Sequence, residues 1–167
     1  MTSQLHQLLS RKIATDGAMR LDEWWQLCLY HPGHGYYATR LPVGSDFLTA
    51  PEISQIFGEL LALALGQAWQ DQGAPLPAQF VEIGPGKGTL AHDAWRALRH
   101  VPGAQGAMAP MVLVEVSASL RAYQMARLRG LPVRWVEQVQ EVPGTGPVFL
   151  VANELLDALP IRQFVRF

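Results

Sequence analysis

The chain has 167 residues, 49% of them hydrophobic and 16% charged, with a formal net charge of −1. That balance fits one globular, slightly apolar domain long enough for a real core; it argues against a solvated, disordered tail and gives no basic footprint for nucleic acid. The single cysteine, Cys28, leaves no intrachain disulfide and fits a reducing compartment, the cytoplasm, with a thiol expected to be buried and inert.

In chain order, residues 1–20 carry Arg11, Lys12 and Asp16 without an uninterrupted apolar core, so they make a poor export signal. Leu5, Leu8, Leu9 and Ile13 recur at helical spacing and predict a first short helix; Leu21 to Tyr30 predicts a second, with Asp22 as its N-cap. His31-Pro32-Gly33-His34-Gly35 stops any helix, and an irregular arm with Pro42 and Gly44 follows over 36–49. A long helix is expected over about 51–70, with Pro51 and Glu52 suited to its first turn and Ile53, Ile56, Phe57, Leu60, Leu61 and Leu65 forming its apolar face. Its most apolar part, 57–69, contains Glu59 and Gln67 and falls short of the ~20 residues of a membrane span, so it reads as a buried helix. Gly73-Ala74-Pro75-Leu76-Pro77 ends it and is expected to act as a hinge between an N-terminal helical segment and arm, 1–73, and a second segment, 74–167.

Beyond the hinge, strands are expected at about 79–83, 111–116, 132–136, 148–152 and 161–166, with helices at about 88–99 and 118–128 and a short turn near 154–158. The loop 100–110, rich in Gly, Ala and Pro, is expected to be a surface insertion. Alternation of this kind predicts an α/β fold with an open, parallel, Rossmann-like sheet. The sheet is expected to be incomplete, since such sheets usually hold about five to seven strands and no helix follows the last one to cover it.

The segment Phe80-Val81-Glu82-Ile83-Gly84-Pro85-Gly86-Lys87-Gly88-Thr89 joins a short apolar strand to a helix start through three alternating glycines. A dinucleotide fingerprint fails because Thr89 stands where its third glycine belongs; a P-loop fails because Gly88 follows Lys87 and Val81 stands five residues before Gly86. What remains is acid-x-G-x-G-x-G, which resembles the first motif of class I S-adenosylmethionine-dependent methyltransferases. Glycines without Cβ let the backbone approach a ligand, and a helix opening at Gly88 or Thr89 can receive a carboxylate. That cofactor carries no phosphate, so no P-loop lysine is needed. A tight strand-to-helix turn that merely needs glycine would satisfy the same motif.

Val112-Leu113-Val114-Glu115 ends the next strand in a carboxylate, at the edge where an acid can accept both ribose hydroxyls. Glu115 lies 31 residues after Gly84, beyond the usual ~20, and the 100–110 insertion accounts for the excess. Two alternatives stay open: Glu115 as an ordinary acid at a strand end, and Glu82 as an acceptor for backbone amides of the glycine loop. After the fourth strand come Asn153, Glu154 and Asp157. In a helical turn the two acids would share one face at i, i+3 and match a planar guanidinium, but acids favoured at a helix start would have the same spacing.

Taken together, these motifs resemble the MidA family of class I methyltransferases, which is related to a mitochondrial complex I assembly factor. The resemblance runs through His31-Pro32-Gly33-His34-Gly35-Tyr36-Tyr37, residues 46–59 with Thr49-Ala50-Pro51-Glu52-Ile53-Ser54 at their centre, the glycine loop, residues 113–117, Trp135, and Asn153 to Pro160. Ser45 stands where the family usually has glycine, and Ala118 where it usually has proline. Family members are about twice as long, so the chain resembles their N-terminal half and is expected to be a fragment or truncated product. The resemblance implies S-adenosyl-L-methionine as cofactor and methylation of a protein arginine, in a respiratory complex I subunit for the mitochondrial relatives. By position it implies that Gly84, Gly86 and Gly88, headed by Glu82, line the cofactor, that Glu115 holds the ribose, and that Thr49, Pro51 and Glu52 close the pocket. Asn153, Glu154 and Asp157 would face the substrate.

Of the tryptophans, Trp135 is the one expected to touch the ligand, at the end of the third strand; Trp24, Trp25, Trp69 and Trp95 are expected in the core or an interface. Tyr36 and Tyr37 are expected to pack the arm on the core. His31 and His34 lack the further ligands of a metal site, so no metal is expected, and no nucleophile elbow points to a hydrolase. Beside the methyltransferase reading stand a non-catalytic assembly or binding module that keeps the cofactor fold and, more distantly, a Rossmann oxidoreductase.

Overall fold

The computed structural model describes residues 3–39, 48–144 and 146–166; Pro42, Gly44, Ser45, Asp46 and Phe47 of the expected arm lie outside them. The chain divides into two compact units, one of Met1–Val43 with Glu154–Phe167 and one of Gly44–Asn153.

The first unit holds α1 (Gln4–Asp16), α2 (Leu21–Tyr30) and the single turn α3 (Tyr36–Thr39). Ser3 caps α1, its side chain accepting from the His6 amide. The expected cap of α2 is corrected: Arg20 is the N-cap without a side-chain bond, and Asp22 sits in the first turn, where it pairs with the Arg20 guanidinium. A carboxylate there still favours the helix through its dipole. Lys12 bridges Asp16 at 2.9 Å and Glu23 at 3.2 Å, linking α1 to α2. Tyr30 donates to the Ala158 carbonyl at 3.1 Å, and Arg162 lies 3.4 Å from Asp22, so residues after 153 pack back on α2. The Tyr30 and Tyr37 rings lie 5.5 Å apart, with Tyr36 set edge-on to Tyr37 at 5.1 Å. Cys28 is half-buried rather than fully buried, and its thiol is pushed up by desolvation.

The second unit opens with α4 (Ala50–Ile53) and α5 (Gln55–Asp71). The one long helix expected here is therefore two. Ser54 is extended, and its hydroxyl accepts the Ile56 amide at 3.2 Å as the cap of α5, which a continuous helix would forbid. The buried face of α5 is only in part the expected one: Leu61 and Leu65 pack against the core cluster, but the rest of that face does not. Ile53 and Leu60 are 69% and 62% exposed, and Ile56 and Phe57 are exposed too, while Gly58, Ala62, Gly66 and Trp69 face inward. Small residues win because they let backbones approach closely: a Cβ on Gly58 would lie 3.1 Å from Asp93 Cβ, and one on Gly66 2.7 Å from Val101 Cγ2.

The chain then runs through β1 (Gln79–Ile83), α6 (Thr89–Leu98), α7 (Ala104–Ala107), β2 (Met111–Val114), α8 (Ala118–Arg127), β3 (Val133–Val136), a short 3₁₀ turn over Val139–Glu141 and β4 (Val148–Val151). Among the described residues these strands form a four-stranded parallel sheet ordered β3-β2-β1-β4, so the expected α/β architecture is found. Register pairs Val81 with Val112 and Leu150, and Val114 with Val136. One sheet face buries Phe80, Leu113, Phe149 and Val151 against Leu90, Ala94 and Leu98 of α6 and Ala62 and Trp69 of α5. The other buries Val81, Val112, Val114 and Val136, packed by Ile83 and Val142.

Two further expectations are corrected. Residues 100–110 are not a surface insertion: α7 turns Ala104, Ala107 and Met108 into the core, and the Ala107 carbonyl accepts the Ala78 amide at 3.1 Å. Residues 161–166 form no strand. Their β-branched and aromatic content suits one, but only residues 152–160 separate them from β4, fewer than the dozen or so that a parallel crossover requires.

Candidate active site

β1 carries Glu82 to the carboxyl edge of the sheet, and the chain turns through Gly84, Pro85, Gly86, Lys87 and Gly88 before α6 begins. Gly88 is the left-handed N-cap of α6, φ 74°, and its amide donates to the Pro85 carbonyl at 2.7 Å, closing the turn. A side chain at that φ would be strained. Gly86, φ 53°, is likewise a position that strains a side chain, and a Cβ there would meet nothing within 4 Å, so open space lies over the loop backbone. Gly84 ties the loop to the neighbouring strand, its amide donating to the Val114 carbonyl at 3.1 Å.

Glu115 follows β2 directly and is buried. Its Oε1 accepts the Ser117 amide at 2.8 Å and its Oε2 accepts from Gln124 Nε2 at 3.1 Å. Burial pushes this carboxyl above its ordinary range, against the pull of those bonds. A carboxylate offers about four acceptor sites, and these bonds together with one from the Val116 backbone leave part of that capacity open to a hydroxyl.

Gln124 joins the site from α8, outside the motifs of the sequence. It is 0% exposed; the same Nε2 donates to the Gly86 carbonyl at 2.8 Å, and its Oε1 accepts the Trp135 indole N–H at 2.9 Å. The available signal is a polar residue in the core-facing period Leu120, Gln124, Leu128 of an otherwise amphipathic helix. Trp135 thus reaches the site through Gln124, with its ring packed against the main core cluster.

Glu82 is almost fully buried and accepts the amide of Ala91, in the first turn of α6 rather than in the loop. Burial pushes its pKa up to about 8. Its Oε2 has no hydrogen-bond partner among the described residues. Glu52, from α4, rests on the loop: its Oε2 lies 3.2 Å from Lys87 Nζ, and its Oε1 accepts the Thr89 hydroxyl. Burial pushes the Glu52 carboxyl up, but the bonds from Thr89 and Lys87 outweigh it and hold the group below its usual value. Lys87 is therefore engaged by a carboxylate, in keeping with a loop that binds no phosphate. Of the other α4 residues, Pro51 is buried in its first turn and Thr49 is its N-cap, without a side-chain cap bond.

The larger unit thus brings together Glu52, Glu82, the three glycines, Glu115 and Trp135. Asn153 closes that unit, while Glu154 and Asp157 belong to the smaller one. The helical face expected for these two acids does not form. The chain passes through turns, Ala158 donating to the Leu155 carbonyl at 3.0 Å, and Glu154 has φ 48°, a left-handed value that α-helix does not contain. Both acids are exposed. In the same unit the His31 and His34 rings stack at 5.0 Å, and His31 Nδ1 accepts the Gly33 amide at 3.1 Å, a structural use of the Pro-Gly turn.

This donor set fits S-adenosylmethionine: a pinned carboxylate for a ribose diol, a buried carboxyl oxygen left over at Glu82, open space above Gly86, and no demand for a phosphate.

Comparison with known proteins agrees. Residues 60–167 match the model of a family described as "Putative S-adenosyl-L-methionine-dependent methyltransferase". The chain is 37% identical to the zebrafish (Danio rerio) mitochondrial protein arginine methyltransferase NDUFAF7, over 98% of this chain and 44% of that protein. It is 33% identical to the human protein of the same name, over 98% of this chain and 42% of that one. A Burkholderia thailandensis protein crystallised with S-adenosyl-homocysteine superimposes with a TM-score of 0.74 at 32% identity, covering 93% of this chain and 42% of that one. The chain spans less than half the length of each of these relatives. With the family model covering well over half of it, the chain belongs to this MidA-like family of S-adenosylmethionine-dependent methyltransferases.

Proposed function

We propose that the protein is a class I methyltransferase that uses S-adenosyl-L-methionine to methylate an arginine of a protein substrate, a respiratory complex I subunit or a protein like it, in the bacterial-type cytoplasm. The observation that carries the reading is Glu115: a buried carboxylate pinned on both oxygens and held beside a glycine loop with open space above its middle residue. The names of the relatives, protein arginine methyltransferase, support the choice of acceptor.

The cofactor, when bound, supplies a methyl group on a positively charged sulfur. The chain's part is to hold and to exclude. Glu115 accepts the ribose hydroxyls; the amides opening α6 receive a carboxylate; Glu52 braces the loop through Lys87 and Thr89; and Thr49 and Pro51 limit access from the α4 side. Asn153, Glu154 and Asp157 recognise the acceptor as polar side chains, a carboxylate among them binding the guanidinium and accepting the proton that its nitrogen gives up. Among the described residues no helix is long and apolar enough to cross a membrane.

Incubation of the intact protein with methyl-labelled cofactor and complex I subunits tests this. Label on arginine, lost with Glu154→Gln and Asp157→Asn together, is the expected result. Binding of the cofactor without transfer to any subunit would overturn the catalytic reading in favour of a binding module.

A further inference from the structure

We infer that Gln124 is the positioning residue of the cofactor site: one buried amide that fixes the glycine loop and the ribose acid relative to each other. The inference rests on the S-adenosylmethionine reading above and goes beyond it by naming what sets the site's geometry.

Gln124 lies two turns into α8, whose start is capped by Ser117, the residue whose amide also holds Glu115. A fully buried amide must satisfy its oxygen and both hydrogens, or it costs stability. The orientation here follows from its partners. An indole N–H only donates, so Trp135 takes the amide oxygen; the amide nitrogen then faces the Gly86 carbonyl and Glu115 Oε2, which both accept. The opposite orientation would set N–H against N–H and oxygen against oxygen at all three contacts.

The three partners come from three elements: the loop after β1, the end of β2, and β3. A Cβ on Gly86 would meet nothing within 4 Å, so packing on that side of the residue does not restrain the loop. The amide bond from Gln124 supplies that restraint. Likewise the Ser117 amide holds one oxygen of Glu115 and Gln124 holds the other, which sets the plane of the carboxylate. The helix also packs on the loop: a Cβ on Gly88 would stand 3.5 Å from Gln124 Cγ. Without the amide nitrogen, Glu115 Oε2 loses the Gln124 bond, backbone bonds from Ser117 and Val116 are left to hold the carboxylate, and it no longer keeps the orientation in which it faces a diol.

The role therefore has a signature that simple packing lacks: it acts on recognition of the ribose hydroxyls. Calorimetry on the intact protein compares S-adenosyl-homocysteine with its 2′,3′-dideoxy analogue. The native protein is expected to prefer the hydroxylated ligand by about tenfold or more, as bonds to a charged acceptor warrant. Gln124→Met, close in shape but without donors, is expected to weaken S-adenosyl-homocysteine by about tenfold while shifting the analogue by less than about threefold, so that the preference collapses. Trp135→Phe keeps a ring but frees the amide to turn over; it is expected to shrink the preference in the same direction, and it decides the matter if Gln124→Met does not fold. A preference of native size in the folded variant, which is what equal weakening of both ligands amounts to, would show that Gln124 does not orient the ribose acid and overturn the inference while leaving the cofactor reading in place. Failure of the native protein to bind either ligand would overturn both.

Discussion

Replacing Glu82 by glutamine separates a neutral buried acid from an ionised one. Glu82 is 3% exposed, its Oε2 has no partner among the described residues, and burial raises its pKa from 4.5 to about 8 in the fold. The native state therefore holds the proton more tightly than the unfolded chain does. The stability this group contributes is fully present below about pH 4.5, falls as pH rises between the two values, and is lost above about pH 8. At about 1.4 kcal/mol per unit, the full span is about 5 kcal/mol, and local relaxation with water entry brings the measured loss to roughly 2–5 kcal/mol. Glu82→Gln is neutral at every pH. Its amide oxygen still accepts the Ala91 amide, while its NH₂ takes the place of the partnerless oxygen at a cost of about 1 kcal/mol. In urea unfolding without ligand, the variant should be about 1 kcal/mol less stable than the native protein at pH 5 and more stable by roughly 1–4 kcal/mol at pH 8.5. Other carboxyls, Glu115 included, cancel in the difference. A difference that stays constant from pH 5 to 8.5 would show Glu82 ionised throughout and refute the dry environment assigned to it.

The packing of α5 makes two opposite predictions. Gly66→Ala improves helix propensity by about 1 kcal/mol, yet its Cβ would stand 2.7 Å from Val101 Cγ2, so a net loss of about 1–2 kcal/mol in thermal or urea unfolding is expected; stabilisation would contradict the close approach. Leu60→Ser, at an exposed position, should change stability by less than about 1 kcal/mol, whereas a loss of 2–5 kcal/mol, typical of a core leucine, would restore the face expected from the sequence. Removing the α5 cap with Ser54→Ala should cost about 1 kcal/mol, and no change would mean that the hydroxyl bond to Ile56 does not contribute.

The sheet was legible because β1 to β4 are short apolar runs set apart by turn residues, and because α6 and α8 show a helical period between them. The glycine loop was legible for a different reason: its spacing excludes two of three phosphate- and cofactor-binding patterns outright. What could not be read has physical causes. Helix α5 is apolar on most of its circumference, so periodicity could not choose between Leu60 and the Gly58-Ala62-Gly66 stripe; the choice belongs to the closeness of α6 and Val101. Ser54 breaks a helix that propensity alone would continue. Residues 161–166 have strand composition but too short a connection to use it. Gln124 is not legible in the sequence because its three partners are 38, 9 and 11 residues away, and a buried amide is recognised by what surrounds it rather than by its own neighbours in sequence. Glu154 and Asp157 were paired by a helical spacing that the left-handed backbone at Glu154 removes.

The central claim is that the open space over Gly86, flanked by Glu115, is a cofactor site. Isothermal titration of S-adenosylmethionine into the intact protein and into Gly86→Ala tests it most directly: the added methyl would touch nothing within 4 Å in the protein alone, and because φ 53° strains any side chain, urea unfolding first establishes that the variant keeps its fold. Saturable one-site binding by the native protein, weakened about tenfold or more in a variant that remains folded, is the predicted result. No binding by the native protein, or equal affinity in the two, would contradict the account.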